Sequence, residues 1–234
     1  MNGVLFGEKH SYRDWGLLLK SRPVISSPKV KTNYIDIPAS DSQLDLTESL
    51  TGEVTYEDRL LNCEFVVTQS RKKWSEIYSE ILDYLHGKRM KIILDEDLGY
   101  YYEGRLEVDE WESDKVTSKI VIKGLLYPYK HDRVSTIEDW LWDAFNFETG
   151  IIRDYRNIKV SDYLSMIIEG NREPSIPSFI VQNSNNLLVR FDDKNYELTN
   201  GTNKIVDIRL KEGKNTLIFT GNGTVSIDYK GGRL

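Results

Sequence analysis

Alternating apolar and polar positions run through most of this chain, and one stretch keeps a helical period instead. In 71–86, Trp74, Ile77, Tyr78, Ile81, Leu82 and Leu85 fall at i, i+3, i+4, i+7, i+8 and i+11, one face of an α-helix. Thr68 or Ser70 stands where its cap is needed, and Gly87 where it must end. Before it, 3–6 and 15–19 alternate as short strands around a turn at 7–10. After it, 90–94, 100–108 and 115–126 predict a meander. Beyond residue 158 there is no helical pattern of useful length. Strands are predicted at 160–168, 178–182, 187–191, 196–199, 204–210, 215–220 and 224–229, with turn signals including Asn200-Gly201 and Gly221-Asn222-Gly223.

The segment 34–59 fits neither template along its length. It opens on Tyr34-Ile35-Asp36-Ile37-Pro38, where Pro38 removes a ladder donor and so ends the strand or puts it at an edge. It closes on Val54-Thr55-Tyr56, which leads through Arg59 into an apolar strand at 60–67, and Ser40-Asp41-Ser42 and Thr51-Gly52 between them form turns. Ordinary connections run to about 4–6 residues. One this long is an arm reaching another subunit or a surface loop packed on its own domain.

Length and charge narrow the class. At 234 residues the chain holds two modest domains, and 39% hydrophobic with 29% charged residues is a globular composition. A net charge of −6 argues against gripping nucleic acid, which needs clustered Lys and Arg. Cys63, the single cysteine, excludes an internal disulfide and is expected as a buried strand thiol. Leu17-Leu18-Leu19 is far short of a spanning segment and no signal peptide is read at the N-terminus, so a soluble protein without a membrane segment is expected.

Candidate chemistry is sparse. His10 has no second histidine near it in sequence and is expected to be exposed in its loop. Asp95-Glu96-Asp97 lacks the ligand spacing of a calcium loop and reads as a hairpin turn closed by Leu98-Gly99. Glu103 with Glu107 and Asp109 with Glu110 are carboxylate pairs on a strand surface, and there is no nucleophile elbow, P-loop, histidine pair or cysteine pair. No catalytic residue, metal site or cofactor is predicted. Trp140, Trp142, Phe145 and Phe147 make 137–150 an aromatic junction, either an interdomain plug or a sugar-stacking platform. The Asn200-Gly201-Thr202 and Asn222-Gly223-Thr224 sequons read as Asn-Gly turns.

The run YIDIP, a polar turn, LDLTESLTG and YEDR resembles the N-terminal domain of phage distal tail proteins, the ring-forming hub at the tip of long-tailed phage tails. That family is closer to IDIPGRDG, then LDLTE and a YxNR-like element. Here Ala39-Ser40-Asp41-Ser42 replaces Gly-Arg-Asp-Gly, and Glu57-Asp58 precedes Arg59. WLWDAFNFETG is similar to the family's interdomain junction. EGNREPSIPSFIV and VDIRLKEGKNTLIFTGNGTVSIDY resemble the opening and final strands of its galectin-like jelly roll.

The resemblance implies a mainly β protein. An α+β, tail-tube-like β-sandwich with one helix at 1–135 would precede an antiparallel, galectin-like β-sandwich at 136–234. It implies a non-enzymatic, hexameric ring joining the tail tube protein to the tail-associated fibre or lysin. Such a protein is assembled in the host cytoplasm and resides in the virion at the tail tip. Receptor-binding protein or cell-wall glycan would meet its second domain, and DNA would pass through the lumen without stable binding. The subunit-interface arm would comprise Tyr34, Ile35, Asp36, Ile37, Pro38, Asp41, Leu44, Leu46, Leu50, Tyr56 and Arg59. The alternative is a lectin-like carbohydrate-binding module.

Overall fold

A computed structural model of the chain describes residues 3–49, 51–114, 116–138 and 154–234. Its strands are β1 (Val4–Phe6), β2 (Lys9–His10), β3 (Leu17–Leu19), β4 (Val24–Ile25), β5 (Tyr34–Asp36), β6 (Gln43–Asp45), β7 (Arg59–Val67), β8 (Arg89–Leu94), β9 (Tyr100–Ser113), β10 (Ser118–Leu126), β11 (Lys130–Asp132), β12 (Ile158–Gly170), β13 (Ser178–Phe191), β14 (Lys194–Glu197), β15 (Gly201–Lys204), β16 (Gly213–Asp228) and β17 (Gly232–Arg233). One α-helix, α1 (Trp74–Leu85), follows β7 among the described residues. The mainly β class expected from sequence is the class observed. Contacts divide the chain into two compact units, 1–96 with 102–128 and 234, and 97–101 with 129–233.

The first unit is an antiparallel sheet with strand order β2-β1-β8-β9-β10-β7-β3, and β4 also lies on β7. Alternation sorts β7: Leu61, Cys63, Phe65 and Val67 are buried, while the residues between them face outward. Trp74, Ile81 and Leu85 of α1 join that core, with Ile77, Tyr78 and Leu82 packed half-buried against it. The periodic stripe is therefore the buried face. The expected cap is absent, because Thr68 Oγ1 donates to Gly16 O at 2.7 Å and Ser70 makes no side-chain cap bond.

His10 departs from the exposed position expected for it, being 4% exposed. Its Nδ1 accepts the N–H groups of Tyr12 and Arg13 at 3.1 and 3.2 Å, which leaves Nε2 to donate to Asp95 Oδ2 at 3.0 Å. Asp95 also accepts the N–H of Gly3 at 2.8 Å. Glu96 accepts from Arg22 at 2.8 Å and Asp97, in the second unit, from Lys130 at 2.7 Å, so the three acids serve three different partners.

The second unit differs from the seven short strands expected. Three long ones, β12, β16 and β13, lie side by side, and β14 and β15 pair with opposite ends of β13. Gly221-Asn222-Gly223, read as a turn, is inside β16, and Asn222 is a strand residue rather than the start of an Asn-Gly turn. The strand expected at 204–210 ends at Lys204, and Ile208 and Leu210 turn into the core instead.

This sheet folds over on itself. Phe179 is in register with Ile227, eight positions along β16 from Phe219. A flat strand would separate those positions by roughly 26 Å, yet the rings of Phe179 and Phe219 meet edge to face at 6.2 Å. The crease is marked by positive φ at Asp162, Asn183, Asn186 and Gly221, and by two register shifts on β13 between Gln182 and Leu188. Asn and Asp tolerate this conformation better than other side chains. At Gly221 only glycine fits, because φ is +93° and a Cβ would lie 2.1 Å from the Asn186 carbonyl oxygen.

Candidate functional site: the hairpin arm

Within 34–59 the polar connection resolves into a two-stranded antiparallel hairpin, β5 on β6, separate from the main sheet of the first unit. Its foot is a short ladder: Lys31 N–H bonds Thr55 O at 2.9 Å, Glu57 N–H bonds Lys29 O at 2.8 Å, and Val30 bridges Tyr56. Leu46 N–H then bonds Asn33 O at 2.8 Å, below the hairpin. Asp45 fixes the return by accepting from Thr47, whose hydrogen bonds hold its carboxyl below the usual carboxylate range. At the mouth of the loop Gln43 Nε2 donates to Asp36 Oδ1 at 2.6 Å.

The strand ends before Pro38, as its missing N–H requires. Ser40 N–H bonds Ile37 O at 3.1 Å, and Ala39 has φ +63°, so Ile37-Pro38-Ala39-Ser40 is a type II turn with proline second and positive φ third. Glycine is the residue suited to Ala39's place. Ala39→Gly is expected to stabilise the hairpin by about 0.5–1 kcal/mol, a roughly two- to five-fold gain in exchange protection of the Leu46 amide. Unchanged protection would show that the turn does not limit hairpin opening.

Ile35 lies directly opposite Leu44 and so shares its face, while Tyr34 and Asp36 oppose Asp45 and Gln43 on the other. Tyr34, Ile35, Ile37 and Leu44 are 51, 49, 45 and 47% exposed, and Asp36, Pro38 and Asp41 are exposed as well. Leu46 is half-buried. A two-stranded hairpin with its apolar side chains in water has little of its own to hold it together.

Tyr56 and Arg59 stand apart from the other arm residues. Tyr56 is buried at the foot, and Arg59 lies under its own unit's sheet, 6% exposed, with Nε donating to Pro128 O at 2.6 Å and its guanidinium 5.9 Å from the Tyr102 ring. Burial lowers the Arg59 pKa below its ordinary value. Both residues anchor the arm rather than extend from it. Leu50, Trp140, Trp142, Phe145 and Phe147 lie outside the described residues.

Elsewhere the candidate chemistry is structural. Glu103 pairs with Arg89, Asp109 with Lys123 and Glu110 with Lys119. No cluster of three or more His, Cys, Asp or Glu suited to a metal occurs among the described residues. Of the aromatic side chains in the second unit's sandwich, Phe179, Phe219 and Tyr229 are spent in its core, while Tyr163 is 62% exposed.

No protein-family model and no curated protein matches the sequence. The fold does have a counterpart: its architecture is that of a phage distal tail hub protein. The solved structure concerned is that of SPP1 Dit (gp 19.1), described as a paradigm of the hub adsorption apparatus in phages infecting Gram-positive bacteria. It aligns with a TM-score of 0.65 over 98% of this chain and 99% of its own, at 13% sequence identity, so the likeness is one of fold.

Proposed function

We propose that this chain is a structural component of a phage tail tip. Six copies form a ring hub that joins the tail tube protein above to the tail-associated fibre or lysin below, and DNA passes through without being held. The observation that carries the reading is the end-to-end likeness of fold, which covers 98% of this chain and so takes in both of its units rather than a single one. Support comes also from the arm, whose apolar side chains stand in water in the single chain and suit a subunit contact. The first unit would close the ring, and the second would meet a receptor-binding protein or cell-wall glycan.

Native mass spectrometry of the full-length chain across concentration, with negative-stain images, tests this. A discrete six-subunit species with a central hole is expected. A monomer at every concentration would overturn self-assembly and bring a glycan-binding screen of the second unit to the front.

A further inference from the structure

Four exposed side chains form one row across the outer face of the first unit's sheet. Arg89 on β8 is in register with Arg105 on β9, Arg105 with Leu125 on β10, and Leu125 with Leu60 on β7. Directly opposed residues of antiparallel neighbours share a face, so the row is a continuous strip, cationic at one end and apolar at the other. Leu60 is 64% and Leu125 51% exposed. Beside them the Arg89 guanidinium lies 4.4 Å from the centre of the Tyr127 ring, itself 44% exposed.

The strip is only partly answered within its own sheet. Arg89 donates to Glu103 at 2.9 Å and Arg105 to the Gly87 carbonyl, so one carboxylate faces two directly opposed guanidinium groups and a positive charge is left over, while two leucines placed directly opposite leave adjoining apolar area in water. One partner that is both apolar and anionic would answer both.

The arm has that chemistry. Residues 33–53 contain Asp36, Asp41, Asp45, Glu48 and Glu53 and no Lys or Arg, and Ile35 and Leu44 form the apolar pair on one face. The hairpin is one sheet thick, so carboxylates on its far face lie within a Debye length, about 8–10 Å, of whatever the near face rests on. Arm and strip are both exposed in the single chain, so a chain does not satisfy its own pair.

We infer that the arm of one copy lies on the Arg89, Arg105, Leu125 and Leu60 strip of the next copy. The inference rests on the ring reading and adds the receiving surface to it. Because arm and strip are different surfaces of one chain, the contact is heterologous, and association runs head to tail until the rotation closes.

The test compares the full-length wild type, an arm variant Ile35→Ser/Leu44→Ser, a strip variant Arg105→Glu/Leu125→Ser, and a 1:1 mixture of the two variants. Sedimentation velocity and native mass spectrometry read the assembly, and far-UV circular dichroism checks the fold of these surface variants. The wild type should form the ring and each variant alone should remain monomeric. The mixture should give a one-to-one dimer and stop, since the only intact pairing is the strip variant's arm on the arm variant's strip. A strip variant that still forms rings overturns the inference and leaves the ring reading standing. Monomeric variants whose mixture yields no dimer overturn it too. A wild type that never assembles overturns the ring reading, and the inference falls with it.

Discussion

Gly221→Val should unfold the second unit, or cost it about 4 kcal/mol or more, a large part of the stability of an ordinary domain. Two penalties act at once. The backbone there has φ +93°, which a β-branched residue resists, and the added Cβ would lie 2.1 Å from Asn186 O, a backbone atom that cannot step aside without opening the crease. Gly201→Ala separates the two, since Gly201 has φ +102° with nothing within 4 Å of the added Cβ. That control should cost about 1–2 kcal/mol, the strain alone. Amide exchange along β12, β13 and β16 would report the loss, since all three cross or border the crease. Equal effects from the two substitutions would show that the close approach to Asn186 carries no weight. The cores of the two units are separate clusters, so Cys63 in the first should remain protected in Gly221→Val.

The same glycine shows where sequence reading stops. Gly221-Asn222-Gly223 signals positive φ, and positive φ is what the structure has there; the sequence cannot say whether the ladder continues past the bend. It does, because Gly221 is paired with Asp162, about sixty positions earlier in the chain. A turn and a crease share local chemistry and differ only in that distant pairing. His10 repeats the lesson, since its burial depends on Asp95, far along the chain, as the acceptor for Nε2. Tyr56 and Arg59 adjoin the arm in sequence, yet Val30 and Pro128 fix both at its foot. What could be read was whatever depends on near neighbours: the α1 stripe, the apolar strand at 60–67, the strand stop at Pro38, and the unusual length of the 34–59 connection. The Arg89, Arg105, Leu125 and Leu60 row was not legible, because it exists only once the register of four strands is known.

Trp15→Ala is expected to destabilise the first unit by about 3–5 kcal/mol. Trp15 is 1% exposed and joins sheet to helix: its ring is 6.4 Å from Phe6 of β1 and 5.5 Å, edge on, from Tyr84 of α1. Its Nε1–H also donates to Glu80 Oε1 at 3.1 Å. Cys63 supplies the readout, because burial pushes its thiol up to about 12 and leaves almost no thiolate to react near neutral pH. Alkylation of Cys63 should be slow in the wild type and much faster in Trp15→Ala. Trp15→Phe keeps most of the buried ring and removes the N–H. Glu80 is held below the usual carboxylate range chiefly by its hydrogen bond from Lys9, with desolvation opposing and the Trp15 N–H assisting. A depressed carboxyl contributes stability above its unfolded value and loses it as pH falls through the folded value. Without the indole N–H the folded value rises, so the acid-side loss in Trp15→Phe should begin at higher pH than in the wild type. Identical acid limbs in the two proteins would show that Trp15 acts through packing alone.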